Sequence, residues 1–299
     1  MTPPTVLALF GPTGVGKTTV AIALAARLRA RGEDPVAVSA DALQVYDGLA
    51  ILTGAPTPAE QERLEHRLVG TVPLTERFSA GAYATRAHEV IDDLLRTGSR
   101  PIVVGGTGLY LRAALAELDL RPPPDPARRD HWRAAVQERG PEAIHAELAA
   151  RDPAAATAID PHDRQRIVRA LELLDAGERP PGGPELWTTH TRHPTRLFGL
   201  VMDRDALAAA IDARVDAMVA AGAAEEVRRA ADRGASDTAR KALGFAELLR
   251  GDTDAMKLRT RRYAKRQLTW MRKLPDVALV DVTGREADDV ANELLDTLA

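Results

Sequence analysis

Apolar positions along the chain alternate between short unbroken runs and stripes of helical period, the signature of strands alternating with helices. Val6–Phe10 is an apolar run, followed after a glycine-rich loop by a helical stripe of Val20, Leu24 and Leu28 that closes at Gly32. Pro35–Ser39 and Pro101–Val104 predict the next buried strands. Between them, Tyr83–Arg96 carries Ala87, Val90, Ile91, Leu94 and Leu95 on one face and stops before Gly98. Residues 47–80 hold Gly48, Gly54, Pro56, Pro58 and Pro73 and read as loop with one short helix near Glu60–Leu68. Leu197–Val201 and Val277–Val282 predict two later strands. Helices are expected over Asp205–Ala221 (Leu207, Ile211, Val215 and Met218 inward), Ala223–Arg233, Thr238–Leu249, Asp254–Leu274 and Glu286–Leu298.

The alternation breaks at Arg121-Pro122-Pro123-Pro124-Asp125-Pro126, a composition shift that marks a boundary. A helix then starts at Asp125 or Pro126 and runs to Arg139, and two more follow at Glu142–Ala150 and Asp163–Ala176. The last has Ile167, Ala170, Leu171 and Leu174 on one face, with Gln165, Arg166 and Arg169 around the other. Gly177–Pro194, with four prolines and three glycines, reads as a flexible return. The organisation expected is a core of residues 1–118 and 196–299, interrupted by a helical insertion with a basic face at 119–195.

Composition narrows the class. At 299 residues, 45% hydrophobic and 28% charged, the chain reads as globular, and no apolar run approaches the roughly 20 residues needed to span a bilayer. A core strand begins almost at the N-terminus, which leaves no room there for a signal or transit peptide. The absence of cysteine excludes disulfides and thiolate zinc sites and fits a cytoplasmic enzyme. A net charge of −3 gives no global sign of nucleic acid, so any such surface must be a local concentration of Lys and Arg.

Chemistry enters at Gly11-Pro12-Thr13-Gly14-Val15-Gly16-Lys17-Thr18, a complete G-x-x-x-x-G-K-T loop between a strand and a helix. Its backbone N–H groups and the helix N-terminus favour phosphate oxygens, Lys17 adds a point charge, and the Thr18 hydroxyl is placed for Mg²⁺. The fold this predicts is α/β: a P-loop NTPase-like parallel sheet flanked by helices, with an all-helical insertion domain. In such a sheet, residues past the carboxyl ends of strands line the ligand crevice, which puts Asp41 beside the loop as a magnesium-shell ligand, a helix cap or a general base. The strand Pro101–Val104 ends in Gly105-Gly106-Thr107-Gly108, where an ATPase or GTPase would carry an acid for Mg²⁺. Two glycines and a threonine suit close backbone approach and a neutral hydroxyl donor instead.

The helix at 254–274 is the most charged. Met256, Tyr263, Trp270, Met271 and Leu274 form its apolar stripe, while Lys257, Arg259, Arg261, Arg262, Lys265, Arg266, Arg272 and Lys273 fill the rest, with no acid between Lys257 and Lys273. Thr260 and Gln267 fall on the stripe edge, in reach of a site. A run of cations is commonly a solvated face, but like charges at i, i+4 each cost a few tenths of a kcal/mol, and a polyanion would relieve them.

Together these segments resemble bacterial tRNA dimethylallyltransferases, P-loop-fold enzymes that prenylate adenine 37 beside the anticodon. The matching stretches are Gly11–Thr18; Ser39-Ala40-Asp41 with Gln44-Val45-Tyr46; Pro101–Tyr110; Asp163-Arg164-Gln165-Arg166 with Arg169-Ala170-Leu171-Glu172; and Thr260–Gln267, in the family's order across nearly the whole chain. The resemblance implies that the P-loop holds the diphosphate of dimethylallyl diphosphate with Mg²⁺, that Asp41 accepts a proton from the adenine N6 amine, and that Thr107 hydrogen-bonds the oxygen between the prenyl carbon and the leaving diphosphate. It also implies a flipped-out base and RNA contacts among Asp41, Ala42, Leu43, Gln44, Thr107, Arg129, Gln165, Arg166, Arg169, Lys241, Thr260, Arg261, Lys265, Arg266 and Gln267. The partners expected are tRNA and dimethylallyl diphosphate, with no membrane and no obligate protein partner.

Three stretches depart from the family pattern. Ala42 and Leu43 stand where a serine is frequent before Q-V-Y, Leu52-Thr53-Gly54-Ala55-Pro56 lacks the lysine of G-T-A-K-P, and Lys241-Ala242-Leu243-Gly244-Phe245 replaces Q-A-I-G-Y. They bear on substrate affinity and RNA contacts, not on the reaction class. The alternatives are a small-molecule P-loop kinase, which would want the missing strand-end acid; a prenyltransferase of free AMP, which would not need the insertion; and a non-catalytic RNA-binding protein, which would not need Lys17, Thr18, Asp41 and Thr107 together.

Overall fold

The computed structural model describes residues 5–121, 125–180 and 188–298. Pro122–Pro124 of the proline boundary and residues 181–187 of the expected return lie outside the described residues. The chain divides into two compact units, Met1–Leu118 with Leu186–Ala299 and, separately, Asp119–Glu185.

The first unit opens with β1 (Val6–Phe10), α1 (Lys17–Ala30), β2 (Pro35–Ser39), α2 (Ala50–Thr53), α3 (Pro58–Arg63), β3 (His66–Arg67), α4 (Ala80–Arg96), β4 (Arg100–Gly105) and α5 (Gly108–Leu115). The second unit contributes α6 (Pro126–Arg139), α7 (Pro141–Arg151), α8 (Pro153–Ala158) and α9 (Arg164–Asp175). The chain then returns to the first unit through β5 (Thr195–Val201), α10 (Arg204–Ala220), α11 (Ala223–Asp232), α12 (Phe245–Leu249), α13 (Thr253–Met271), β6 (Ala278–Asp281) and α14 (Ala287–Asp296).

All six strands join one sheet in the order β3-β2-β4-β1-β5-β6, every pair parallel. β1 and β2 are buried along their whole length, as strands covered on both faces must be. Leu7 and Leu9 of β1 pack with Leu24 and Leu28 of α1, Phe198 of β5 and Leu294 of α14 in the main core. The parallel order brings the carboxyl ends of β1, β2 and β4 side by side, so the loops that begin at Gly11, Ala40 and Gly106 share one edge. The second unit has its own core of Trp132, Val136, Ile144, Leu148, Ile167 and Leu171. Among the described residues no helix is long and apolar enough to cross a membrane.

Local structure departs from the sequence pattern in six places. α2, α5, α8 and β3 have no counterpart there, each being too short for its own periodicity. The short helix expected near Glu60–Leu68 lies earlier, because Thr57 caps α3: Glu60 N–H donates to Thr57 Oγ1 (3.3 Å) and Thr57 N–H to Glu60 Oε2 (2.8 Å). The strand β3 then takes His66 and Arg67 into register with Ala37 and Val38. The single helix expected over Thr238–Leu249 is a 3₁₀ turn at Ala239–Lys241 followed by α12. Gly244, at φ 94°, breaks it; a Cβ there would sit 2.5 Å from Met256 Sδ, so only glycine lets the chain turn against α13.

Candidate active site

The shared edge opens into a cleft of about 740 Å³ in the first unit. Its floor is the turn from β1 into α1, with Thr13, Gly14, Gly16, Lys17 and Thr18 on its surface. Gly11, Pro12 and Val15 of the same loop are buried behind them. Gly16 caps α1 in the left-handed region at φ 88°, which aims the first-turn N–H groups into the cleft. Lys17 Nζ donates to Gly11 O and Pro12 O, both at 2.9 Å. Burial, assisted by the Arg214 cation and opposed by Asp41, pushes the Lys17 ammonium down to about 8. A lysine so placed gains from any anion that enters.

Asp41 stands one residue past Ala40, where β2 has ended. Its Oδ1 accepts from Leu43 N–H (2.9 Å) and Gln44 N–H (3.3 Å), a side-chain turn that fixes the carboxylate against the loop 41–44. Of the three roles open to Asp41, the helix cap has no helix to serve, because a turn follows, and Oδ1 closes that turn instead. Among the described residues no hydrogen bond is made by Oδ2. Gln44 is pinned in turn: Ser39 Oγ donates to its Oε1 (3.0 Å), and its Nε2 donates to Gly54 O (3.1 Å). Ala42 and Leu43 line the cleft beside it.

The glycines at the end of β4 are packed against neighbours. Gly11 N–H donates to Gly105 O at 3.3 Å, tying this strand end to the P-loop. A Cβ on Gly106 would lie 2.3 Å from Gln267 Nε2 and 2.8 Å from Gly11 O. That space is used by Gln267 of α13, which accepts from Thr13 N–H (2.9 Å) and donates to Gly106 O (2.8 Å). Gln267 is buried at 4% exposure, and its amide is committed to these two loops. Thr107 follows, half-buried on the cleft wall, its Oγ1 3.1 Å from the Tyr263 hydroxyl. Burial and the Asp41 charge push the Tyr263 phenol up to about 12.

The other expected residues separate into groups. Thr260, Lys241 and Arg266 line the cleft. Thr260 is buried and donates its hydroxyl to Met256 O (2.7 Å), while Arg266 lies over the Tyr263 ring, 5.4 Å from its centroid. Arg261 is ion-paired with Asp212 at 2.6 Å, and Lys265 is exposed. In the second unit, Arg129 Nε donates to Glu172 at 2.8 Å and Arg169 donates to Arg121 O at 3.1 Å. Glu172 is 2% exposed and holds both arginines on one carboxylate. Gln165 and Arg166 of α9 are exposed.

The charge of α13 needs a correction. Its cations do not repel one another uncompensated: Lys257 pairs with Asp216 (2.6 Å), Arg261 with Asp212, and Arg259 with Glu247 (2.9 Å). Those acids come from α10 and α12. Self-repulsion at these three positions is therefore relieved from within the chain.

Sequence reasoning missed Arg214. It lines the cleft, is largely desolvated, and donates to Gly54 O at 3.4 Å. The signal was present, because Arg214 falls three residues after Ile211 and four before Met218, on the face read as inward. It also missed the partner of Tyr263: a phenol in an apolar stripe calls for a polar neighbour, here Thr107.

Five cations (Lys17, Arg214, Lys241, Arg259 and Arg266) and two carboxylates (Asp41 and Glu60) line the cleft, beside apolar side chains including Leu52, Val215, Met218, Leu243 and Met256. Such a lining suits a ligand with a polyanionic end and a hydrocarbon end. Thr18 and Asp41 line the cleft with oxygen atoms of the hard kind that a divalent cation could bind.

The family model for IPP transferase matches residues 44–274. The chain is 45% identical over 285 residues to a tRNA dimethylallyltransferase of Rhodospirillum centenum, covering 89% of this chain and 88% of that one. The crystal structure of a full-length tRNA isopentenylpyrophosphate transferase from Bacillus halodurans superposes with a TM-score of 0.71 at 33% identity, over 98% of this chain and 95% of that one. A eukaryotic dimethylallyltransferase, seen in crystallographic snapshots acting on tRNA, superposes with a TM-score of 0.75 at 25% identity, over 98% of this chain and 80% of that one.

Proposed function

Because this chain belongs to the IPP transferase family, we propose that it transfers a dimethylallyl group from dimethylallyl diphosphate to N6 of adenine 37 in a tRNA anticodon loop, releasing diphosphate. The observation that carries the reading is one cleft in which an intact P-loop, the strand-end carboxylate Asp41 and the strand-end hydroxyl Thr107 come together. A kinase would place a magnesium-binding acid at the end of β4, where this chain has Gly105, Gly106 and Thr107.

In this reading the loop Gly11–Thr18 and Arg214 bind the diphosphate. The bond between the prenyl carbon and its oxygen breaks, and the electron pair leaves with the diphosphate. N6 of adenine forms the new C–N bond and gives up a proton to Asp41. An exocyclic amine conjugated with its ring is a weak nucleophile, so a carboxylate must take that proton as the bond forms. Thr107 donates to the leaving oxygen as its charge grows. Thr18 would hold Mg²⁺, which when bound neutralises part of the diphosphate charge. The base must leave the stack to reach the prenyl carbon. Asp41, Ala42, Leu43, Gln44, Thr107, Lys241 and Arg266 of the cleft are the candidate surroundings of the base, and the exposed Lys265, Gln165 and Arg166 are candidate contacts to the rest of the RNA, whereas Thr260 and Gln267 are buried and build the site.

The test is incubation with dimethylallyl diphosphate, Mg²⁺ and unmodified tRNA bearing A36-A37-A38, followed by mass analysis of the digested nucleosides. A gain of one C₅ unit on adenine is expected. Phosphate release from ATP with no modified nucleoside would favour the kinase.

A further inference from the structure

α13 reaches the end of β4 with two side chains one turn apart. Gln267 holds Gly106 through its carbonyl, and Tyr263, four residues earlier on the same face, places its hydroxyl 3.1 Å from Thr107 Oγ1. The Gln267 bonds to Gly106 and Thr13 fix the register of the helix against the strand end. They hold the Tyr263 backbone at a fixed place beside the strand end, with the phenol in reach of Thr107. On its other side the Tyr263 ring is covered by the Arg266 guanidinium.

A proton count gives this pair a direction. Threonine carries one hydroxyl hydrogen, and so does tyrosine. If Thr107 spends its hydrogen on the leaving oxygen, it can only accept from Tyr263. We propose that Tyr263 is a positioning residue for departure of the leaving group: its hydroxyl donates to Thr107 Oγ1 and thereby turns the single Thr107 proton toward the diphosphate oxygen. Donation into Oγ1 also polarises the Thr107 O–H bond, since hydrogen bonds in a chain strengthen one another. The raised phenol pKa keeps the donor protonated across the working range of pH. The inference rests on the reading of Thr107 as donor to the leaving oxygen.

A double-mutant cycle tests the inference and, separately, that premise. Single-turnover prenyl transfer at saturating tRNA and dimethylallyl diphosphate is measured for the unaltered protein, Tyr263→Phe, Thr107→Ala and the double variant, with tRNA binding measured alongside. Tyr263→Phe is expected to slow transfer about tenfold, less than the roughly 10²-fold lost when a direct oxyanion donor is removed. Its tRNA affinity and its half-saturation by dimethylallyl diphosphate should stay within about twofold of the unaltered protein. In the Thr107→Ala background the same change should have no further effect, and Thr107→Ser should restore the sensitivity to Tyr263→Phe. If the two losses multiply, or if Tyr263→Phe acts only by weakening tRNA binding, Tyr263 works independently of Thr107 and the inference is overturned. Full activity of Tyr263→Phe beside an impaired Thr107→Ala also overturns it while sparing the premise. Full activity of Thr107→Ala removes the premise itself.

Discussion

Replacing Gln267 by alanine separates a side chain that builds the site from one that touches RNA. The amide is buried and satisfies two backbone groups from loops that are distant in sequence, Thr13 N–H at 2.9 Å and Gly106 O at 2.8 Å. Gly106 is itself buried, so its carbonyl would lose its side-chain partner in a place that water reaches poorly, at a cost of about 1–3 kcal/mol. Thr13 faces the cleft, and water can satisfy its N–H. One buried methylene group is also removed, adding about 0.8 kcal/mol. The sum, roughly 2–4 kcal/mol, corresponds to a fall in Tm of about 3–6 °C for a chain of this size. The kinetic effect follows from geometry: the P-loop and the Gly106–Thr107 turn lose their common brace, and a displacement of about 1 Å at reacting atoms costs on the order of 10²-fold. Gln267→Glu keeps the acceptor for Thr13 N–H but sets an oxygen against Gly106 O, and should be equally damaging. Urea unfolding followed by far-UV circular dichroism, steady-state kinetics and filter binding of tRNA report the three quantities. Normal stability and kcat with tRNA affinity weakened tenfold would refute the brace and make Gln267 an RNA-binding residue.

Asp41→Ala should lower turnover by roughly 10²–10⁴-fold with tRNA affinity nearly unchanged, and full activity in that variant would remove Asp41 as the base. Lys17, held near 8, regains its usual basicity when diphosphate binds beside it, so affinity is complete below pH 8 and declines about tenfold per pH unit above it, until the pKa of the bound state is reached. Calorimetric titration with dimethylallyl diphosphate between pH 7 and 9.5 reads this directly, and a flat profile contradicts it. In the second unit, Arg129→Ala leaves the buried Glu172 carboxylate with Arg169 but without its 2.8 Å partner, and should cost about 1–3 kcal/mol of stability, read from the urea midpoint. Arg166→Glu, at an exposed position, should leave that midpoint in place and reduce the salt dependence of tRNA binding by about 0.7–0.9 for each phosphate no longer neutralised. An unchanged slope returns Arg166 to a solvated face.

What was legible in the chain follows from the range of each interaction. β1, the P-loop and α1 are contiguous, and apolar runs with glycine punctuation specify them locally. Asp41 and Thr107 were placed in the crevice by a rule about strand ends, which needs no long-range interaction. Sequence order does not display what comes from elsewhere in the chain. Asp212 and Asp216 neutralise Arg261 and Lys257 from a helix more than 40 residues upstream, so a window around α13 shows only cations. β3 is two residues long and exists because β2 offers an edge, not because His66 and Arg67 prefer extended structure. The break at Gly244 is set by the Met256 side chain opposite it, which the segment Thr238–Leu249 by itself does not display. Gln267 appeared polar at the edge of a stripe, and its two partners, Thr13 and Gly106, emerge only when the sheet aligns the ends of β1 and β4.

The central claim is that the P-loop holds a diphosphate that departs rather than a nucleotide whose terminal phosphate is transferred. Stoichiometry tests it most directly. In one reaction containing tRNA, dimethylallyl diphosphate and Mg²⁺, diphosphate release, orthophosphate release and C₅-modified adenosine are quantified together. One diphosphate per modified adenosine is predicted, with no orthophosphate and no requirement for ATP. Orthophosphate formed in step with product, or product that depends on ATP, would contradict the account.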